Sequence, residues 1–399
     1  MQHDDEISGS SIDEDITRQI YLAPMVRGSE LAFRNMVRAH GVRRTYSPML
    51  RANEVLRAFH FWKDRKGDMS SSHDLHEDGI LLLNDICCDK EPLVVQLCGS
   101  CPDTLYAATH ALMELQASIM GLIIEGIDLN LGCPQECAKD GNFGAFLVEN
   151  DPQLAVNCIK EMRRGIDTFD STRLGNKGGC GTRNNPKHLK LSCKIRLFES
   201  MDETVRFAKQ LEEAGCDILA VHCRHRVVKH NGSPDIKHGQ LLVDSLSIPV
   251  IINGSLIQNL NDIKDVLEET KAHGVMIARA FLENPCLLMK SNSDPAYLAA
   301  EYLDFAEASP PPSFLYVQKH LRWIFGKYLR PEDKHNCDYT DFRPRLWSFL
   351  VRPYLKSIIQ FRQVVALYVK LNGSILPDSL KKYEDATFKS IKNYNKKAT

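Results

Sequence analysis

At 399 residues the chain is longer than one hydrophobic core comfortably grows, so two folded units are expected; 43% apolar and 25% charged residues make a soluble globular protein. No apolar run approaches the roughly 18 residues of a membrane helix, and the acidic stretch 1–15 is no secretory leader. A reducing compartment, the cytoplasm and/or nucleus, is therefore expected, with 13 scattered free thiols and no disulfide framework.

The net charge of −1 conceals a split. Residues 316–399 hold 17 Lys and Arg against 7 Asp and Glu, a balance of +10 that leaves −11 on residues 1–315. A basic C-terminal part on an acidic body points to a polyanionic partner, the alternative being an ordinary solvated helical surface.

After an acidic leader (1–17), short β-branched runs alternate with stretches of helical period. Strands are predicted at 20–25, 44–48, 93–97, 126–131, 189–196, 217–223, 248–253 and 274–278. Helices fall between them at 30–40, 102–118, 151–164, 201–214 and 259–270. Eight strands apolar on both faces and separated by helices predict an α/β fold, a TIM (β/α)8 barrel over 18–294. The Gly-, Asn- and Lys-rich 171–188 reads as a mobile insertion before the fifth strand. Beyond "ASPPPS" (308–313) the period is helical, 314–329 and then 342–370. This predicts an all-helical C-terminal domain over 295–375 and a basic tail at 376–399.

Barrel enzymes carry their chemistry at the C-terminal ends of the strands, and polar residues gather there: Gln96, Asn130 with Cys133, Lys194, His222 with Arg224, Asn253 with Gly254, and Ala278 with Arg279. In phosphate-binding barrels, backbone N–H groups after the last two strands cradle the phosphate; Gly254 and Arg279 fit that duty, or Gly254 is an ordinary turn glycine. Lys194, inside an apolar strand, asks for an anion such as a reduced flavin, unless it snorkels to water. His222 and Arg224 share one face of an extended chain and could serve a ligand or the structure alone. In "DLNLGCPQ", Gly132 and Pro134 turn the chain so that Cys133 stands at the mouth, able to donate a proton or attack as a nucleophile. The Cys98–Cys101 spacing suits zinc or a redox pair, but no second pair or His cluster joins it.

In "APMV", "VVQLCGSCP", "DLNLGCPQ" with "AKDGNFGAFL", "CKIR", "VHCR", "INGS" and "SFLYVQKHLRWIF", the chain resembles the tRNA-dihydrouridine synthases over roughly residues 20–370. The motif around Cys133 is most similar to the eukaryotic branch acting on the D-loop at 16/17. The resemblance implies FMN held by Pro24, Met25, Val26, Gln96, Lys194, His222, Asn253, Gly254 and Ser255, with Ala278 and Arg279 at its phosphate. It implies NADPH (or NADH) as reductant and a flipped tRNA uridine as substrate, with hydride going from flavin N5 to C6 and a proton from Cys133 to C5. Asn130 and Arg224 would hold the uracil, and the helical domain would clamp the tRNA backbone. It implies no metal, no membrane and no obligate protein partner. Relatives have "VHGR" where this chain has Cys223, "NGD" at Ser255 and often Gly-Arg at Ala278–Arg279; of these only a side chain at Cys223 threatens to crowd the site, and activity is expected to be retained. The alternatives are an FMN barrel dehydrogenase acting on a free pyrimidine, which needs no basic extension, and an RNA-binding scaffold on an inactive barrel.

Overall fold

The computed structural model describes residues 14–66, 78–175, 189–228, 232–254, 256–289, 294–330, 342–351, 355–388 and 391. Nine strands form one parallel sheet: β1 (Ile20–Leu22), β2 (Arg44–Tyr46), β3 (Leu50–Arg51), β4 (Leu93–Cys98), β5 (Ile124–Leu131), β6 (Lys190–Leu197), β7 (Ile218–His225), β8 (Val250–Asn253) and β9 (Gly274–Ile277). β1 pairs with both β2 and β9, and β2 pairs with β4, so the sheet closes on itself. The barrel has eight staves, because β2 and β3 both lie on β4 and together make the second.

The break in that stave has a local cause. Pro48 lacks the N–H a ladder needs, and the chain detours around it. Ser47 donates its N–H to Val94 O at 2.9 Å, and its Oγ accepts the N–H of Gln96 at 3.0 Å in place of a strand carbonyl. The first stave also stops early, at Leu22 rather than at 25. Ala23 makes one last bond to Ile277 O, and Pro24 then turns the chain outward.

β4, β8 and β9 are buried at every residue, as strands covered on both faces must be. Three layers of packing result. Tyr21, Tyr46, Val94, Ala220, Ile251 and Met276 fill the barrel interior. A larger core lies between β3–β8 and the outer helices. A further core joins β1, β9 and the helix Leu31–Ala39 to the helical C-terminal region through Phe33, Phe281, Tyr302, Val317 and Leu321. There the fully buried His320 stacks on Phe33 and stands 2.8 Å from Glu30, which also accepts a bond from Tyr302 at 2.9 Å. Burial alone would raise the Glu30 carboxyl, but His320 and Tyr302 outweigh it and hold it below its ordinary value.

Other elements depart from the sequence reading. The helix expected to end at 164 runs from Pro152 to Gly175, because Ile159, Met162 and Ile166 continue a buried stripe. It takes in the first residues of the expected insertion, whose remainder, 176–188, lies outside the described residues. The single helical stretch expected at 342–370 is two helices, Arg343–Val351 and Ile358–Asn372. Ser357 caps the second by accepting the N–H of Gln360. Within 376–399, Leu380, Ala386 and Ile391 are buried against the helical core, so the start of that basic segment is packed. Among the described residues no helix is long and apolar enough to cross a membrane.

Candidate active site

The strands' C-terminal ends open into a cleft of about 720 Å³. Pro24, Met25 and Val26 line it from the loop after β1, and Gln96, Asn130 and Lys194 rise from β4, β5 and β6. Cys133, His222, Arg224, Asn253, Gly254, Ala278 and Arg279 complete the set. Every residue expected to bind cofactor or substrate or to donate the proton is thus in one cleft except Ser255, which lies outside the described residues.

The floor is a chain of polar contacts. Asn130 donates to Gln96 Oε1 at 2.8 Å, and Gln96 donates to Asp128 Oδ2 at 2.8 Å. The other Asp128 oxygen accepts the Ser192 hydroxyl at 2.7 Å. With both amide side chains fixed this way, Asn130 Oδ1 faces the next turn and accepts the N–H groups of Gly132 and Cys133 at 3.2 and 2.9 Å. Burial pushes the Asp128 carboxyl up to about 6, opposed by Ser192, Gln96 and Lys194. Burial likewise pushes the Lys194 ammonium down to about 7, with Arg196 adding to the drop and Asp128 opposing it. Neither charge has an ion pair within 4 Å among the described residues. The site therefore holds two ionisable groups near the neutral range, and the lysine, in a cleft, is shaped for an anion.

The Cys133 turn is equally constrained. A Cβ on Gly144 would lie 2.9 Å from both Cβ and O of Cys133, and Gly144 has a φ of +64°, so the closing glycine is obligatory. Ala145 N–H bonds Cys133 O at 3.1 Å, while Arg196 Nε holds Gly132 O at 2.9 Å from the other side. The thiol is half-buried, and burial raises it above its ordinary value, so it stays protonated at neutral pH.

Across the cleft, Gly254 takes a φ of +99°; a Cβ there would strike His222, 2.8 Å from its Nε2, and sit 3.1 Å from Arg224 Nη1. Its carbonyl accepts Arg224 Nη1 at 2.7 Å. Asn253 spends its amide on Met276 O at 2.7 Å, which ties the last two staves together just below the mouth. Imidazole and guanidinium thus meet beside Gly254 with no side chain between them, two groups able to donate to an anion.

One expectation changes here. Cys223 does not crowd the mouth: it is buried in the outer core beside helix Ile236–Ser245, where a Cβ on Gly239 would meet its Sγ at 2.9 Å. Alternation along β7 sends His222 and Arg224 inward and Cys223 outward. Cys98 and Cys101 form no pair; Cys98 is buried, Cys101 is exposed, and the eleven described cysteines are all free.

The sequence reading passed over Lys319 and Trp323, which wall the cleft from the helix Phe314–Ile324. Lys319 Nζ bonds Val26 O at 2.6 Å. Their spacing of four residues places them on one helical face, the signal that could have found them.

The family described as Dihydrouridine synthase (Dus) matches residues 21–332, and the chain belongs to it. It is 33% identical over 302 residues to a mouse protein named tRNA-dihydrouridine(16/17) synthase [NAD(P)(+)]-like, covering 75% of this chain and 54% of that one. It is 28% identical over 318 residues to a human tRNA-dihydrouridine(20a/20b) synthase [NAD(P)+]-like, covering 78% and 83%. A fission-yeast (Schizosaccharomyces pombe) tRNA-dihydrouridine(16/17) synthase [NAD(P)(+)] is 30% identical over 276 residues, 68% of this chain and 57% of its own length. The chain thus spans little more than half of the 16/17 relatives it matches.

Proposed function

We propose that the chain is an FMN-dependent tRNA-dihydrouridine synthase that reduces the C5–C6 bond of uridines in the D-loop, at positions 16/17, with NADPH or NADH as reductant. The observation that carries this reading is the convergence of the Cys133 turn, the Lys194 ammonium and the Gly254 cradle on one cleft. The relatives named for positions 16 and 17 support the site of action.

The residues fit a flavin mononucleotide. A glycine whose Cβ would collide with His222 leaves room for a phosphate beside His222 and Arg279, and the ammonium of Lys194 lacks an anion. Pro24, Met25, Val26 and Gln96 would flank the ring system, with Asn253, Gly254, Ser255, Ala278 and Arg279 at the phosphate. When bound, FMN supplies the hydride that uridine C6 receives, having taken it from the nicotinamide.

What the protein contributes is charge and proton control. Asn130 and Arg224 hold the uracil, and Lys194 offsets negative charge that accumulates nearby. Cys133, kept protonated by burial, donates its proton to uracil C5, and the thiolate recovers one from solvent. Each turnover moves one hydride and one proton: uridine, NADPH and H⁺ become dihydrouridine and NADP⁺. The tRNA partner fits the +10 balance of residues 316–399 and the cleft wall of Lys319 and Trp323, a lysine for phosphate beside an aromatic ring for stacking. A free-pyrimidine enzyme has no use for either. The cytoplasm and nucleus are the compartments this reading implies.

The test is mass spectrometry of uridine-containing tRNA incubated with FMN-loaded protein and NADPH. A gain of about two mass units in D-loop uridine is expected, with the rate falling about 10²–10⁴-fold in Cys133→Ala while flavin stays bound. Bound flavin with no dihydrouridine in any tRNA would overturn the assignment.

A further inference from the structure

A second cluster of reactive side chains lies far from the cleft in the chain's course. The helix Leu31–Ala39 runs from the mouth back to the start of β2, so His40, which closes it, stands at the foot of the barrel. His40 Nε2 is 2.9 Å from Glu301 Oε2 on the helix Pro295–Ala308. Cys286 Sγ, on the segment after the last barrel helix, is 3.2 Å from the same nitrogen and 3.4 Å from Nδ1. One donor atom from each residue lies within 4.8 Å of the others. Cys286 is buried, whereas His40 and Glu301 reach solvent.

We propose that His40, Cys286 and Glu301 form a zinc site, with its fourth position open to water. A thiolate, an imidazole and a carboxylate are the donor set zinc takes, and the thiolate excludes calcium and magnesium, which bind oxygen. Tetrahedral bonds of about 2.0–2.3 Å set donors roughly 3.3–3.6 Å apart. The observed spacings of 2.9 and 3.2 Å fall a few tenths short and all three donors lie within 4.8 Å, so zinc binding requires the imidazole to turn until one nitrogen faces the shared centre. The three residues come from three separate elements, 246 and 261 positions apart when counted from His40. Bound zinc therefore links the first barrel helix to the first C-terminal helix, and its role is to fasten the helical region to the barrel.

The experiment measures zinc in full-length protein after dialysis and back-titration, beside His40→Gln and Cys286→Ser. Cys88→Ser and Cys101→Ser, exposed cysteines outside the cluster, serve as controls. One zinc per chain is expected, weakened more than about tenfold in each ligand variant and unchanged in the controls. Zinc should raise the thermal midpoint of the wild-type chain and the controls, not of the ligand variants. If the ligand variants fail to fold, cobalt loaded into the wild-type chain decides, through a charge-transfer band of one-thiolate intensity. No metal retained by the wild-type chain, equal retention in His40→Gln and Cys286→Ser, or a cobalt spectrum with several thiolates would each overturn the site. The first of these would leave a metal-free His40–Glu301 ion pair.

Discussion

Two buried polar clusters in this barrel have opposite constructions. Beneath the helix Leu31–Ala39, Arg34 is fully buried and saturated: Nε bonds Asp89 at 2.8 Å, and Nη1 bonds Asp85 at 3.0 Å and Ser29 O at 2.8 Å. Arg38 joins from the side, reaching Asp89 at 2.9 Å and Thr45 at 2.7 Å. At the mouth, by contrast, Asp128 is buried with neutral hydrogen-bond partners only, Lys194 stands half-buried at the cleft with no ion pair among the described residues, and both are pushed towards the neutral range. Paired charge holds the first cluster rigid and has no capacity left for a ligand. Unpaired charge makes the second destabilising in the free chain and ready for an anion.

The difference can be broken most severely at Arg34. Arg34→Met should strand Asp85 in the core, leave Asp89 to Arg38 alone and cost about 3–5 kcal/mol, read as a lowered midpoint in urea unfolding. An unchanged midpoint would mean that the network is not what locks this helix.

Lys194→Met should act in the opposite direction. The unfolded chain keeps the lysine proton up to its ordinary value of 10.5, while the folded chain releases it near 7. Wild-type stability therefore falls as pH drops from about 10 to 7, and stays low below that. The variant should be more stable by on the order of 2 kcal/mol at pH 7, with the gain vanishing above pH 10, in thermal melts of flavin-free protein. It should also bind FMN about 10–100-fold more weakly. In the wild-type chain, anion binding raises the lysine again, so FMN affinity should decline as pH rises from 7 to 9, and the variant should lose that slope. A flat titration of FMN affinity in the wild type would count against Lys194 as the anion's partner.

The smallest effect is expected on the far side of the same strand as His222. Cys223→Gly should leave turnover and flavin binding alone and lower stability by about 1–2 kcal/mol, because its sulfur fills the space that Gly239 leaves open. Impaired turnover at unchanged stability would place the thiol's influence at the mouth after all.

Much of this was legible in the sequence. Eight buried strands announced themselves by β-branched runs, and strand-end polar residues had to meet once the barrel closed. Alternation in "VHCRH" already separated Cys223 from its neighbours, although the departure from relatives drew attention towards the site instead. The split second stave was not legible, because it depends on the Ser47 hydroxyl replacing a ladder carbonyl at Gln96. Lys319 and Trp323 were hidden for a different reason: their helix reads as amphipathic packing, and only its docking angle decides which polar face meets the cleft. The cluster at His40 draws on residues more than 240 positions apart, a proximity no local pattern encodes.

The bond from Lys319 to Val26 O joins the C-terminal helix to the loop that follows β1. A chimaera that took helix 314–324 from another chain would have to bring residues 24–28 with it. The helical wall of the cleft and the loop at its mouth are on this account inherited together, as one unit of variation rather than two.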